Sequence, residues 1–101
     1  MPHKNQQPHT PPFEPKPGMI VRSRVGRDRY RIFLIIGLDE ENRVAPVIVA
    51  DGMLHKRENG KHKNPVHLDF IADIGENGYT RDVSGLTNGE IAEFCKKFDL
   101  R

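Results

Sequence analysis

The sequence has little cysteine and no long apolar run. Its single cysteine, Cys95, excludes an intramolecular disulfide framework and a metal site made of cysteines alone. The longest apolar run, Ile32 to Ile36, has five residues, far below the roughly 20 that a membrane-spanning helix needs. The first residues contain no apolar segment typical of a secretory signal, so we expect a cytoplasmic protein without membrane contact.

Common signatures of catalysis and metal binding are also lacking. No nucleophile elbow, phosphate-binding loop or catalytic site of paired carboxylates stands out, and we therefore expect no enzyme activity and no small-molecule substrate. Cys95 falls on the apolar face of a short predicted helix, where a buried, inert thiol is expected. The spacings of His55, His62 and His67 match no standard metal motif, so no metal or cofactor is expected.

The size and composition describe one small soluble domain. The chain has 101 residues, of which 36% are apolar and 30% charged, enough for a modest core. Its formal net charge is only +2, which taken alone argues against a dedicated binder of polyanions.

Residues 1–17 are predicted to form a disordered, Pro-rich N-terminal tail. They contain six of the eight prolines, which prevent a helix because proline fixes φ and restricts the residue before it. Phe13 is the only sizeable apolar side chain there, too little to offset the entropy lost on ordering. The domain is predicted to begin at Gly18.

Residues 18–75 show the pattern of short β-strands separated by turns. In the first strand, Met19 and Val21 alternate with Ile20, Arg22 and Arg24, which predicts a half-buried strand with a basic outer face. The later strands are predicted at Tyr30–Leu38, Val47–Ala50, Met53–Arg57 and Val66–Ala72. Five short strands with no helix between them favour a mainly β fold, a small antiparallel barrel.

Residues 76–101 are predicted to be a linker followed by a C-terminal helix. Thr87 and Glu90 have the spacing of a capping box, in which each side chain satisfies a backbone N–H of the first turn. Ile91, Phe94 and Phe98 then fall on one apolar face, together with Cys95. We expect this face to pack on the barrel; the alternative is that it binds a partner.

The charge is concentrated in two segments. Residues 22–31 have a charge of +4, from Arg22, Arg24, Arg27, Arg29 and Arg31 against Asp28. Residues 53–67 have a charge of +3, from Lys56, Arg57, Lys61 and Lys63 against Glu58. The net charge of the remaining residues is therefore −5. The small overall charge is thus the sum of two basic segments and an acidic remainder.

Two interpretations of these segments are open. Outward arginines can be ordinary solvated charge, but arginine without lysine in the first segment favours bidentate phosphate contacts. Tyr30, inside that segment, could stack on an unpaired base or could simply belong to the core or rim of the barrel.

Residues 18–31, GMIVRSRVGRDRYR, resemble the KOW motif, a segment associated with RNA and ribosomes. The later strings VIVADG at 47–52 and HL at 67–68 strengthen the likeness, and TNGEI at 87–91 resembles the start of a C-terminal helix found in some members. The chain thus resembles small bacterial KOW-domain RNA-binding proteins, which are akin to archaeal and eukaryotic KOW-type large-subunit ribosomal proteins.

This resemblance implies an SH3-like barrel in which Gly26 occupies the turn position of the motif and the surrounding basic residues face RNA. Tyr30 stands where the family usually has a glycine, and the second basic segment is less dense in lysine than is usual. The predicted partner is RNA, ribosomal or otherwise structured, with ribosomal proteins as further partners; the alternative is a protein-docking module. The predicted RNA-binding residues are Arg22, Arg24, Gly26, Arg27, Arg29, Tyr30, Arg31, Lys56, Arg57, Lys61, Lys63 and His67.

Overall fold

A computed structural model describes residues 12–99, which form a five-stranded antiparallel sheet and one C-terminal α-helix. The strands are β1 (Met19–Ser23), β2 (Ile32–Leu38), β3 (Val47–Ala50), β4 (Lys61–Lys63) and β5 (Leu68–Asp73), and the helix is α1 (Asn88–Lys97). The order across the sheet is β4-β3-β2-β1-β5. The predicted mainly β fold with a C-terminal helix is therefore confirmed.

The central strands are rich in β-branched and aromatic side chains, which suit a pleated, buried surface. In β1 and β2, Ile20 lies opposite Leu34 and Val21 opposite Phe33. All four side chains are fully buried. Burial at consecutive positions means that both faces of the sheet are covered.

Each face has its own apolar cluster. The inner cluster is made by the strands alone: Met19, Val21, Phe33, Ile35, Val47, Val49 and Leu68. The helix cluster lies on the other face and contains Ile20, Ile32, Leu34, Ala50, Ile74, Leu86, Ile91 and Cys95. The second face is thus closed by α1 and the segment that precedes it.

This arrangement corrects the prediction of a basic outer face along β1. Ile20, which was assigned to that face, has no solvent exposure because it packs in the helix cluster. Arg22 is half-buried, and only Arg24, just beyond the end of β1, is exposed. Alternation of side chains along a strand identifies the two faces of the sheet, but it does not show that one face is exposed to solvent.

The predicted strand over Met53–Arg57 is wrong, because the fourth strand is Lys61–Lys63. The carboxylate of Asp51 accepts hydrogen bonds from the backbone N–H groups of Met53 and His55, both at 2.9 Å. These bonds close residues 51–55 into a compact loop. The side chain of Asp51 therefore takes donors that a returning strand would have used in a ladder.

Residues 12–17, part of the predicted tail, are within the described chain, whereas residues 1–11 lie outside it. Phe13 packs against the inner cluster, and its ring centroid lies 5.8 Å from that of Phe70. Lys16 forms an ion pair with Asp73 at 3.8 Å. The last residues before the domain thus follow its surface.

The helix α1 begins with the capping box that the sequence predicts. Thr87 Oγ1 accepts from the backbone N–H of Glu90 at 3.1 Å, and the Glu90 carboxylate accepts from the backbone N–H of Thr87 at 2.9 Å. Ile91 and Cys95 are buried, and Phe94 packs at their side. Within residues 12–99 no helix has the length and apolar character needed to cross a membrane.

Candidate nucleic-acid interface

Residues 24–31, here called the basic turn, connect β1 to β2. Gly26 has a φ of +78°, a conformation that favours glycine, as expected for a turn glycine. The turn is closed by hydrogen bonds from Arg29 N–H to the carbonyl of Gly26 (3.1 Å) and from Arg31 N–H to the carbonyl of Asp28 (2.8 Å). The alternating arginines are thus carried on a hydrogen-bonded, defined backbone.

The basic turn and the second basic segment meet at Asp28. Its carboxylate is 2.5 Å from Lys61 Nζ and 3.0 Å from Lys63 Nζ. Arg31 Nε, at 3.8 Å, and His55 Nε2, at 3.5 Å, approach its other oxygen. The Asp28 cluster, made of these five residues, joins two basic segments that are more than 20 residues apart in the sequence.

The environment of Asp28 keeps it ionised. Burial acts to raise the pKa of this carboxyl group, but hydrogen bonds and charge from Lys61 and Lys63 outweigh burial and lower the pKa well below 3.8, its ordinary value. Since Asp28 is only 7% exposed, the two ammonium groups neutralise a charge that would otherwise be costly to bury.

Asp51 is a second buried carboxylate in this region, with 5% exposure. Arg31 donates to its Oδ2 at 3.1 Å, while Oδ1 holds the 51–55 loop. Arg31 therefore lies between two carboxylates, Asp28 and Asp51. A contact with RNA, the role predicted for Arg31, would therefore compete with its bonds to these two carboxylates.

The contacts with Asp28 and Asp51 neutralise only part of the positive charge of their partners. Arg31, Lys61 and Lys63 supply three positive charges, and the two buried carboxylates Asp28 and Asp51 supply two negative ones. The group therefore retains a net charge of +1. Of the predicted RNA-binding residues, these three form ion pairs with buried carboxylates.

Arg27 and Arg29 are exposed and have no ion pair within residues 12–99. Together with Arg31 they line one side of an open groove of about 800 Å³, whose other side is formed by α1. Arg29 also lies over the ring of Tyr30, with 6.0 Å between its guanidinium carbon and the ring centroid. Free guanidinium groups on a groove are suited to phosphate contacts.

Arg22, Arg24 and His67 extend this surface toward β5. Arg24 N–H donates to the carbonyl of His67 at 2.9 Å, which places these two residues side by side. The Arg24 guanidinium donates to the carbonyl of Val66 at 3.3 Å and approaches Asp69 at 3.7 Å. Arg22 faces Asp69 across the β1–β5 pairing.

Arg57 is anchored elsewhere. Its guanidinium donates to the carbonyl of Leu86 at 2.7 Å, and its backbone N–H donates to the side chain of Asn88 at 2.8 Å. These contacts tie the 3-10 helix Arg57–Asn59 to the start of α1. Lys56 is exposed and has no ion pair within the described residues.

Sequence reasoning missed the roles of Asp28 and Asp51. In the sequence, Asp28 is one acid among five arginines, and the charge count treats it only as a reduction of their charge. Asp51 directly follows the apolar run at 47–50, where the sequence predicts a turn and assigns its side chain no structural role. An isolated acid between basic residues is the signal that points to a buried ion cluster.

Comparison with known proteins adds no assignment: no protein-family model matches the chain, and no curated protein matches it significantly. Among residues 12–99, no group of three or more histidine, cysteine and acidic side chains is placed to hold a metal ion.

Proposed function

We propose that the chain is a non-enzymatic RNA-binding module of the KOW type, with an SH3-like barrel built on its five strands. It contacts RNA phosphates through the basic turn and adjoining residues, and its target is ribosomal or other structured RNA. The resemblance of residues 18–31 to the KOW motif motivates the family, and the five-stranded antiparallel sheet supports the barrel.

The observation that carries the proposal is the convergence of two basic segments at Asp28. The cluster uses part of their charge internally, yet it remains net positive and holds the basic turn in place. Arg22, Arg24, Arg27 and Arg29 then add charge around it without a buried carboxylate of their own. Such a preorganised basic surface suits phosphate and shape recognition more than the reading of base sequence.

Salt dependence of RNA binding tests the proposal. Four arginines, together with the net charge of +1 that Arg31, Lys61 and Lys63 retain against Asp28 and Asp51, correspond to about five neutralised phosphates. This predicts a slope of log affinity against log salt of roughly −3.5 to −4.5. Fluorescence anisotropy with labelled RNA over a series of salt concentrations measures this slope. A flat response would contradict the proposal.

A charge-matched pair of double variants localises the surface. Replacing Arg24 and Arg27 by alanine should weaken binding to all RNA sequences alike, because phosphate contacts are independent of sequence. Replacing Arg43 and Lys97, which are exposed outside the basic segments, removes the same charge and should have little effect. Equal losses in both variants would mean that net charge, and not this surface, governs binding.

The alternative is a protein-docking module that uses the apolar stripe of α1. Ile91 is 1% exposed, and Phe94 and Phe98 pack against the helix cluster, so this stripe contributes to the core of the domain. The alternative predicts no RNA affinity at physiological salt, together with a protein partner whose binding is lost when Phe94 is replaced by a charged residue in a folded variant.

A further inference from the structure

A small cavity lies beside the basic turn, where β1 pairs with β5. It has a volume of about 420 Å³ and is lined by Arg22, Ser23, Arg24, Tyr30 and Asp69. This volume is within the range of about 300–1,000 Å³ typical of small-molecule sites. The lining combines an aromatic ring, two guanidinium groups and one carboxylate, which together could hold a single nucleotide.

Tyr30 is an unusual residue for its backbone position. Its φ is +73°, and among the described residues it is the only one other than glycine with a positive φ. A bulky side chain in this conformation is strained, and glycine would fit without cost. Because Tyr30 is 53% exposed, burial does not account for its presence. Strained residues of this kind concentrate at functional sites.

Arg22 also lines the cavity, and it lies opposite Asp69 in the β1–β5 pairing. The residue is half-buried, so the surrounding fold restrains its position. A guanidinium group in the lining of the cavity is suited to contact a phosphate oxygen of a bound nucleotide.

Asp69 is the feature that phosphate binding does not explain. It stands among arginines, and its carboxylate is 50% exposed and 3.7 Å from the Arg24 guanidinium. A negative charge here weakens attraction for phosphate. It does, however, present an acceptor at the cavity, and a carboxylate accepts hydrogen bonds from the amino groups of bases.

The edges of the four bases differ in how well they suit a carboxylate. Guanine presents two adjacent donors, N1–H and the N2 amino group, which together match two carboxylate oxygens. Adenine and cytosine place a ring-nitrogen acceptor beside their amino group, and uracil places its N3–H between two carbonyls. Those acceptors would be repelled by Asp69.

We infer that this cavity binds one unpaired guanine, which stacks on Tyr30 and donates to Asp69 through N1–H and the N2 amino group. This rests on the proposed RNA-binding function and adds a base preference to it. Arg22 and Arg24 also line the cavity and contribute guanidinium groups to the phosphate of the same nucleotide. An unpaired base is required because stacking on a side chain needs an open base face.

Three labelled oligomers test the preference in the full chain. One is a uridine oligomer of about nine nucleotides, and the others carry a central guanosine or a central inosine, which lacks the N2 amino group. The guanosine oligomer should bind about ten-fold tighter than the uridine oligomer, since hydrogen bonds to a charged acceptor are strong. Inosine should lose a substantial part of this advantage. Equal binding of all three overturns the inference.

Variants of the cavity separate the contribution of hydrogen bonds to Asp69 from that of stacking on Tyr30. Asp69→Asn should abolish the guanosine preference and leave uridine binding unchanged or tighter, because a negative charge is removed. Tyr30→Gly should weaken binding of every oligomer about ten-fold through loss of stacking. Tyr30→Phe, which retains the ring, should bind as the native chain does. A preference that survives Asp69→Asn overturns the inference.

Folding and function are distinguished by the same variants. Tyr30→Gly relieves the positive φ and should raise the thermal midpoint while affinity falls, so weaker binding cannot be attributed to unfolding. Salt-dependent RNA binding without a guanosine preference overturns only this inference. The absence of binding to any oligomer contradicts the proposed function and the inference together.

Discussion

Lys63 donates to the buried carboxylate of Asp28 at 3.0 Å although 35 residues separate them in the sequence. Lys63 lies on β4, at one edge of the sheet, and Asp28 lies in the basic turn between β1 and β2. The ion pair therefore couples the edge strand to the candidate RNA-binding surface. Loss of Asp28 should disturb both.

Asp28→Asn should lower the free energy of unfolding by about 2 kcal/mol. This is less than the roughly 3–5 kcal/mol for breaking a fully buried ion pair, because Lys61 remains 40% exposed. Urea denaturation followed by circular dichroism measures the change. The control is Asp39→Asn, whose ion pair with His62 is 40% exposed on both sides and should contribute less than about 1 kcal/mol. Equal effects would show that Asp28 has no special role.

Acid should remove the contribution of Asp28 to stability. Because its pKa in the folded state is lowered from 3.8, the folded state holds this group ionised more strongly than the unfolded state does. Its contribution is complete above the ordinary pKa and is lost as the pH falls below 3.8 toward the lowered value. The difference in unfolding free energy between native chain and Asp28→Asn should thus be constant from about pH 7 to pH 5 and shrink in stronger acid.

That difference isolates Asp28 from other carboxyl groups. Hydrogen bonds also lower the pKa of Glu58, Asp82 and Glu90, and these groups are common to both proteins. A difference that stays constant throughout the acid range would show that Asp28 does not titrate with folding.

Gly52→Ala should be much more destabilising than Gly26→Ala. Both glycines have positive φ, +79° and +78°, so both substitutions carry a similar backbone strain of about 1–2 kcal/mol. A Cβ at Gly52 would lie 2.1 Å from the backbone carbonyl oxygen of Asn88, whereas a Cβ at Gly26 meets nothing within 4 Å. Thermal denaturation of the two variants checks this difference. Similar midpoints would mean that the 51–55 loop does not pack on α1.

Cys95 should be unreactive while the protein is folded. Burial, with a smaller contribution from the nearby charge of Asp51, raises the pKa of the thiol to about 12. The thiolate is the reactive form, so a disulfide reagent at about pH 8 should modify the folded chain far more slowly than the urea-unfolded chain. Glutathione under the same conditions corrects for effects of urea on the reagent. Equal rates would place the thiol at the surface.

The sequence predicts correctly those strands and helix ends that depend on residues close together in the chain. Continuous runs of apolar, β-branched residues place β2 and β3, and alternation places β5, close to their observed ranges, since both patterns reflect burial. The capping box places the start of α1, because its hydrogen bonds involve only residues 87–90.

The parts that escape prediction depend on contacts between distant residues. Residues 51–55 form a loop where a strand is predicted, because Asp51 bonds to Met53, His55 and Arg31. Strand propensity depends on residue type and contains no information about these bonds. Likewise, nothing local to Asp28 indicates that its partners are Lys61 and Lys63. The same limit applies to the cavity proposed to bind guanine, because Tyr30 and Asp69 are brought together only by the pairing of β1 with β5.

The two apolar clusters on opposite faces of the sheet imply an order of events during synthesis. The inner cluster needs only residues up to β5 and Phe13, so it can form once Leu68 has emerged. The helix cluster needs Leu86, Ile91 and Cys95, which are made later than every strand. Until Leu86, Ile91 and Cys95 have been made, the side chains that bury Ile20 and Leu34 are missing, so a nascent chain with a formed sheet would expose apolar surface on this face.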